Sequence, residues 1–575
     1  MKNKLSLIAF FILLSISAAV FAQTKPERLD ELMNKYSDYG LFNGVVLVAE
    51  KGEIIYQKGF GFADYEWDVS NSPETKFRIG SISKNFTAAV IMKLVEEGKI
   101  KLDGKLSDYL PYYRKETGEK VTIRQLLNHT SGIPSYTSLP GVWSDSLRNH
   151  YDKKYFIEHF HSGDLEFEPG TQFKYDNTGY YLLAAIIEEV TGKSFEEVLQ
   201  EKILTPAGLT NTGVETEEEY PIKHEAYGYM KGVSKLRRDS YIFMPNAMGA
   251  GSMYSTVGDL FKWDRVLYTD KILSAESKKK MFTPYLANYG FGWMIVSIPL
   301  PGGDSVKVIT HSGGINGFNT VMTRFPDDDN FIAVFSNVSP PPIKEILRNL
   351  MAILYDKEFE YPKKPIKDYL LEIINEEGAD AAVSLYKNLK KEETETFDFS
   401  ENELNLLGYE LLNENRLEDA VKIFALNVEE YPKSSNVYDS YAEALMKKGE
   451  NEKAVENYKK SLDLNPANKN AIERLKKLGV EYQNEKLEVS AEILKSYEGV
   501  YALAPNFNVT IRADGTALFA KATGQGEYEI FPKSETKFFY KVVDAQIEFF
   551  KDENGKVDRL VLYQNGRELP GKKVE

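Results

Sequence analysis

Gly80-Ser81-Ile82-Ser83-Lys84 is followed at once by a helical pattern. Residues three apart on a helix share a face, so Ser81 and Lys84 are expected to meet. Ser81 would lie at a helix N-terminus, where unpaired N–H groups and the helix dipole favour developing negative charge. A hydroxyl, a neighbouring base and main-chain donors are the parts that acyl transfer through a covalent intermediate requires. Taken alone, the pattern also describes a capping serine followed by a surface lysine, so the reading depends on what lies downstream.

Two further stretches carry chemistry. Tyr175-Asp176-Asn177 follows the turn signal Glu168-Pro169-Gly170 and precedes a helical run from about Gly179 to Val190. Tyr175 and Asn177 are therefore expected on a loop or helix lead-in. A lysine ammonium nearby would favour the tyrosine phenolate, and Asn177 has the groups to hold a substrate amide. His311-Ser312-Gly313-Gly314 follows the strand-like run Val306-Lys307-Val308-Ile309-Thr310. A strand edge can offer a main-chain N–H to an oxyanion, and glycine lets a substrate approach the backbone.

In their order and spacing, these stretches resemble the serine β-lactamase and penicillin-binding-protein superfamily, in its class C-like branch of D,D-peptidases, D-aminopeptidases and esterases. Further matching stretches are Ile123 to Pro134 (IRQLLNHTSGIP), Phe167-Glu168-Pro169-Gly170, Gly251-Ser252-Met253-Tyr254-Ser255-Thr256 and Tyr289-Gly290-Phe291-Gly292-Trp293. The resemblance covers roughly residues 27 to 355. It implies an α+β fold, with a β-lactamase-like antiparallel sheet packed with helices and an all-helical lobe. Local patterns agree: 44–48 and 53–57 read as a hairpin, and 320–325 and 331–336 as late strands.

By resemblance, Ser81 is the nucleophile, Lys84 and Tyr175 move the proton, and Asn177 orients Lys84 and a substrate amide. His311, Ser312 and Gly313 bind substrate, and the N–H groups of Ser81 and Gly314 form the oxyanion hole. Whether Lys84 or Tyr175 is the base stays open. The family's class C β-lactamases usually carry Lys-Thr-Gly where this chain has His311-Ser312-Gly313. A histidine brings no permanent charge to a substrate carboxylate, which favours a broader serine hydrolase over an efficient antibiotic hydrolase. No metal or cofactor is called for. His159 and His161 have no evident third ligand, His129 reads as structural, and no Gly-x-Ser-x-Gly elbow occurs.

The 575 residues allow about three domains. Residues 1–22 read as a signal peptide: Lys2 and Lys4 precede an apolar run that ends in Val20-Phe21-Ala22. A periplasmic or secreted protein with no membrane association after processing is expected. The absence of cysteine excludes a thiolate nucleophile, disulfides and cysteine metal sites. A net charge of −15 argues against nucleic acid as a partner. The expected layout is a hydrolase domain over 23–360, helical repeats over 366–482 and a small β domain over 488–575. Within the repeats, Gly408, Ala420, Phe424 and Pro432 recur 34 positions on as Ala442, Ala454, Tyr458 and Pro466, the tetratricopeptide period. These repeats read equally as a peptide- or protein-binding surface and as a spacer. Beyond them, six short strand patterns separated by turn signals suggest a small antiparallel sheet or barrel.

The function expected is acyl transfer to water on an amide, ester or β-lactam, with a small-molecule or peptide substrate of cell-wall origin. The rival is a catalytically silent binding protein that uses the same fold and repeats to recruit a peptide or protein.

Overall fold

The computed structural model describes residues 23–216, 221–232, 235–482, 489–504, 507–564 and 567–574. The expected signal peptide lies outside the described residues. No helix among those described is long and apolar enough to cross a membrane. The chain divides into two compact units, one ending at Pro362 and one beginning at Lys363.

The first unit is built on a six-stranded antiparallel sheet. Helix α1 (Lys25–Asp38) leads into the hairpin β1 (Gly44–Glu50) and β2 (Glu53–Phe60). Two central helices follow, α2 (Ser83–Glu96) and α3 (Asn177–Thr191). The chain then returns to the sheet as β3 (Met294–Pro299), β4 (Ser305–Ile315), β5 (Phe318–Phe325) and β6 (Asn330–Ser336), and helix α4 (Ile343–Leu354) closes the unit. The strand order is β3-β4-β5-β6-β1-β2, so the hairpin that opens the unit pairs with its last strand.

Side-chain alternation explains why β1 is apolar throughout. Val46 and Val48 pack with α1 and α4 in one core, while Val45, Leu47 and Ala49 join the core that contains α2 and α3. Leu29, Leu32, Met33 and Tyr36 give α1 its single buried stripe. Helix α2 is instead buried on nearly every side, from Ser83 to Met92, as expected of a helix inside a lobe. Asp176 caps α3, its carboxylate accepting from the Thr178 and Gly179 amides, and Gly192 ends the helix in the left-handed conformation (φ 67°).

The second unit opens with helices over Ile366–Glu376 and Ala379–Glu392, followed by Glu401–Asn413, Leu417–Glu430, Ser435–Lys448, Asn451–Leu464 and Lys469–Lys477. The small residues of the 34-residue pattern sit where helices touch: a Cβ on Gly408 would fall 2.5 Å from the Phe424 ring. The unit ends in a closed antiparallel barrel of eight strands between Gly499 and Lys573. The six strand patterns legible in the sequence are all present. The two additional strands are Glu527–Pro532, which buries only Ile530 fully, and Arg567–Lys573, interrupted by Pro570 and Gly571.

Candidate active site

Ser81 sits in a single 3-10 turn, Gly80–Ile82, that feeds directly into α2. The turn is held by its neighbours: the Ile79 amide donates to the Met253 carbonyl at 2.9 Å, and the Met253 amide donates to Ser83 Oγ at 3.2 Å. Gly80 has φ +50°, a conformation open to glycine at little cost. A Cβ on Gly313 would come within 1.9 Å of the Ile79 carbonyl oxygen, and one on Gly80 within 2.9 Å of the Gly314 nitrogen. The missing side chains thus let β4 lie directly against the turn that carries Ser81. The strand runs on through Gly314 to Ile315, further than the apolar run 306–310 alone indicates.

Lys84 is 0% exposed. Its Nζ lies 3.0 Å from Ser81 Oγ, 2.8 Å from Asn177 Oδ1 and 2.7 Å from the Ala250 carbonyl. Burial pushes its pKa down to about 7, against the pull of the Asp176 carboxylate. As a neutral amine it has two N–H donors and one lone pair. The two shorter contacts take the donors, and the lone pair is left for the Ser81 hydroxyl. Asn177 Nδ2 donates to Thr137 Oγ1 at 2.9 Å, which turns its carbonyl oxygen toward Lys84. The Asn177 amide is held by Ser135 Oγ at 3.1 Å.

Tyr175 keeps 37% of its surface exposed, and its ring centre lies 5.0 Å from Lys84 Nζ. Burial of its phenolic end raises its pKa above the ordinary tyrosine value, and a hydrogen bond with Ser81 only partly offsets this. The phenolate expected beside a lysine ammonium is therefore disfavoured, because burial of the phenol and then the nearby Asp176 outweigh the Ser81 hydrogen bond. His129 packs against Tyr175 and Tyr289, with ring centres 4.3 and 4.6 Å apart. Its Nδ1 accepts from the Asp176 amide at 3.1 Å, so it positions the backbone between Tyr175 and Asn177.

His311 is 4% exposed. Its Nε2 lies 2.9 Å from the Tyr289 hydroxyl, and its Nδ1 lies 2.7 Å from the Ser312 carbonyl. A carbonyl only accepts, so Nδ1 carries the proton and Nε2 accepts from Tyr289. Burial, then the nearby Lys84, lowers the His311 pKa to about 3. Ser312 and Gly314 are on the exposed face of the strand, while His311 and Gly313 are buried. The arrangement thus brings Ser81, Lys84, Tyr175 and Asn177 together at the end of β4, with Gly314 against the turn that carries Ser81. The contributions of Ala250, Thr137 and Ser135 gave no sequence signal. His159 is exposed against Tyr155, whereas His161 is buried against Tyr181, so the two face different surroundings.

Comparison with known proteins agrees with this architecture. Residues 28–355 match the family model described as Beta-lactamase, and residues 483–573 match a domain of unknown function, DUF3471. Penicillin-binding protein 4* of Bacillus subtilis is 33% identical over 364 residues, which covers 60% of this chain and 79% of that protein. The putative penicillin-binding protein PbpX of the same organism is 31% identical over 315 residues, 54% of this chain and 74% of its own. Among solved structures, the octameric penicillin-binding protein homologue from Pyrococcus abyssi superposes with a TM-score of 0.50 at 23% identity, over 95% of this chain and 99% of that one; this is a likeness of fold. With more than half its length matched and a serine-hydrolase fold of the penicillin-binding-protein type, the chain belongs to the beta-lactamase family.

Proposed function

We propose that this protein is an exported serine hydrolase that works through an acyl-enzyme on Ser81. The observation that carries the reading is the buried Lys84 amine, within hydrogen-bonding distance of Ser81 Oγ and fixed by Asn177 and Ala250. Neutral Lys84 takes the Ser81 proton as Oγ bonds to the substrate carbonyl carbon. The carbonyl electrons move to oxygen, where the Ser81 and Gly314 amides receive the charge; one such donor is worth about 2.7–4 kcal/mol in related chemistry. Collapse of that intermediate expels the alcohol or amine, which takes its proton from Lys84 by way of the Tyr175 hydroxyl. Water then adds to the acyl-enzyme by the same route in reverse, which frees the acid and restores Ser81.

A buried neutral His311 brings no charge to a substrate carboxylate. The reading therefore favours esters and amides of cell-wall peptide or D-amino-acid type over β-lactams. The helical segment is proposed to be tetratricopeptide-like, and the export signal to be residues 1–22. A fluorophosphonate probe and a fluorescent penicillin test the central claim. Covalent labelling at Ser81, located by mass spectrometry and abolished together with chromogenic ester turnover in a folded Ser81→Ala variant, is the expected result. Wild-type turnover in that variant would refute it, and an unlabelled native protein would favour the silent binding protein.

A further inference from the structure

Asp176 stands in the chain between two residues that meet the Lys84 side chain. The Tyr175 ring centre lies 5.0 Å from Lys84 Nζ, and Asn177 Oδ1 lies 2.8 Å from it. Asp176 is itself buried, as Lys84 is. Its carboxylate accepts from the Thr178 and Gly179 amides at 2.7 and 3.0 Å and from the Ser131 hydroxyl at 3.5 Å. Those partners are neutral, and so are the three that Lys84 touches. A buried acid and a buried base thus share one cluster, each held by neutral groups and each exposed to the other's field.

Main-chain donors favour the ionised carboxylate, whereas burial favours the neutral acid. Burial prevails and raises Asp176 to about 7, beside an amine that burial lowers to about 7. The other titratable groups around the pair keep their neutral forms in that range. Burial holds the phenols of Tyr175, Tyr180 and Tyr289, and those of Tyr113 and Tyr136, above the ordinary tyrosine value. It holds His129 and His311 below the ordinary histidine value. Within this cluster, Lys84 and Asp176 are therefore the groups whose charge changes near neutral pH, and interacting sites of this kind titrate as a pair. An ionised Asp176 favours the Lys84 ammonium; without that carboxylate the amine would lose its proton at lower pH.

We propose that Asp176 is a positioning residue for the Lys84 proton: its carboxylate holds the amine charged to a higher pH than the buried site alone allows, and so sets the pH at which hydrolysis begins. The role rests on the acyl-enzyme reading, in which neutral Lys84 takes the Ser81 proton, and two readouts test it, only one of which needs turnover. Asparagine and serine both cap helices well, so Asp176→Asn and Asp176→Ser keep the start of α3 while removing the charge. In the full chain, the rise of kcat/KM for a chromogenic ester should move to lower pH by about one unit in both variants. The second readout is the Lys84 titration itself, followed by NMR in protein labelled with carbon-13 at lysine Cε, the Lys84 resonance being identified by its loss in Lys84→Met. Its midpoint should fall by the same amount. A capping role alone would lower kcat/KM at every pH and leave both midpoints in place. Unmoved midpoints, movement to higher pH, loss of the limb or a shift in one variant only would each overturn the proposal. A shifted Lys84 resonance in a protein whose wild type turns over no ester would support the coupling and overturn the acyl-enzyme reading instead.

Discussion

Taking the Lys84 ammonium out of water costs more than its three acceptors return, which is why burial brings its pKa from 10.5 down to about 7. Between those values the unfolded chain holds a proton that the folded chain lacks, so this residue's contribution to stability rises with pH across that window. The whole shift is worth about 5 kcal/mol. Between pH 8 and 10 the wild type should therefore gain about 2 kcal/mol relative to Lys84→Met, read from denaturant unfolding at each pH; a constant gap would mean that Lys84 stays charged. The same neutral state predicts a kcat/KM that rises through about pH 7, the range to which burial also raises its neighbour Asp176. That limb should persist in His311→Gln, because His311, lowered to about 3, does not titrate there. Its disappearance in the variant would reassign the limb to the histidine. Ser81 and Lys84 were legible as a pair because they lie three residues apart at the start of a helix, whereas Asn177 was reached through the family resemblance. The Ala250 carbonyl was not, because every residue has one and only the folded path of the chain decides where it points. The neutral state of Lys84 was equally hidden, since it comes from burial rather than from a local motif.

The turn that carries Ser81 and strand β4 meet so closely that two adjacent glycines have opposite tolerances. Gly313→Ala places a Cβ 1.9 Å from the Ile79 carbonyl oxygen, whereas Gly314→Ala meets nothing within 4 Å. Gly313→Ala should cost about 1–3 kcal/mol through forced separation of the strand and the turn. Gly314→Ala should unfold like the wild type but lose acylation rate, because its methyl group projects from the exposed face of the strand. Paired melting curves and single-turnover labelling separate the two, and equal stability losses would contradict the packing argument. Elements with a clear period are readable in the sequence: the hairpin over 44–48 and 53–57, the α3 run, and the strands over 320–325 and 331–336, each of which falls within an observed element. The barrel strands Glu527–Pro532 and Arg567–Lys573 are not. One buries only Ile530 fully and the other contains proline and glycine, so it is closure of the barrel, rather than propensity, that makes them strands.

Among the described residues, each hydrophobic cluster draws all its members from one side of Pro362. Two clusters span Leu29 to Phe359, and three others hold the helices and barrel from Ile366 onward. A separate core is the physical condition for a unit to fold alone. The proposed catalytic residues all fall within residues 81–314, inside the first unit. Residues 23–362 expressed alone should therefore fold cooperatively and turn over a small chromogenic ester within about threefold of the full chain's rate. The full chain should in turn unfold in more than one calorimetric step, since units with independent cores need not melt together. A bulky peptide substrate gives the sharper comparison. If the second unit only spaces or supports the enzyme, its removal should leave the ratio of peptide to ester turnover unchanged; if it recruits the peptide, that ratio should fall. An insoluble or inactive 23–362 fragment would show that the first unit's core is incomplete without the rest of the chain.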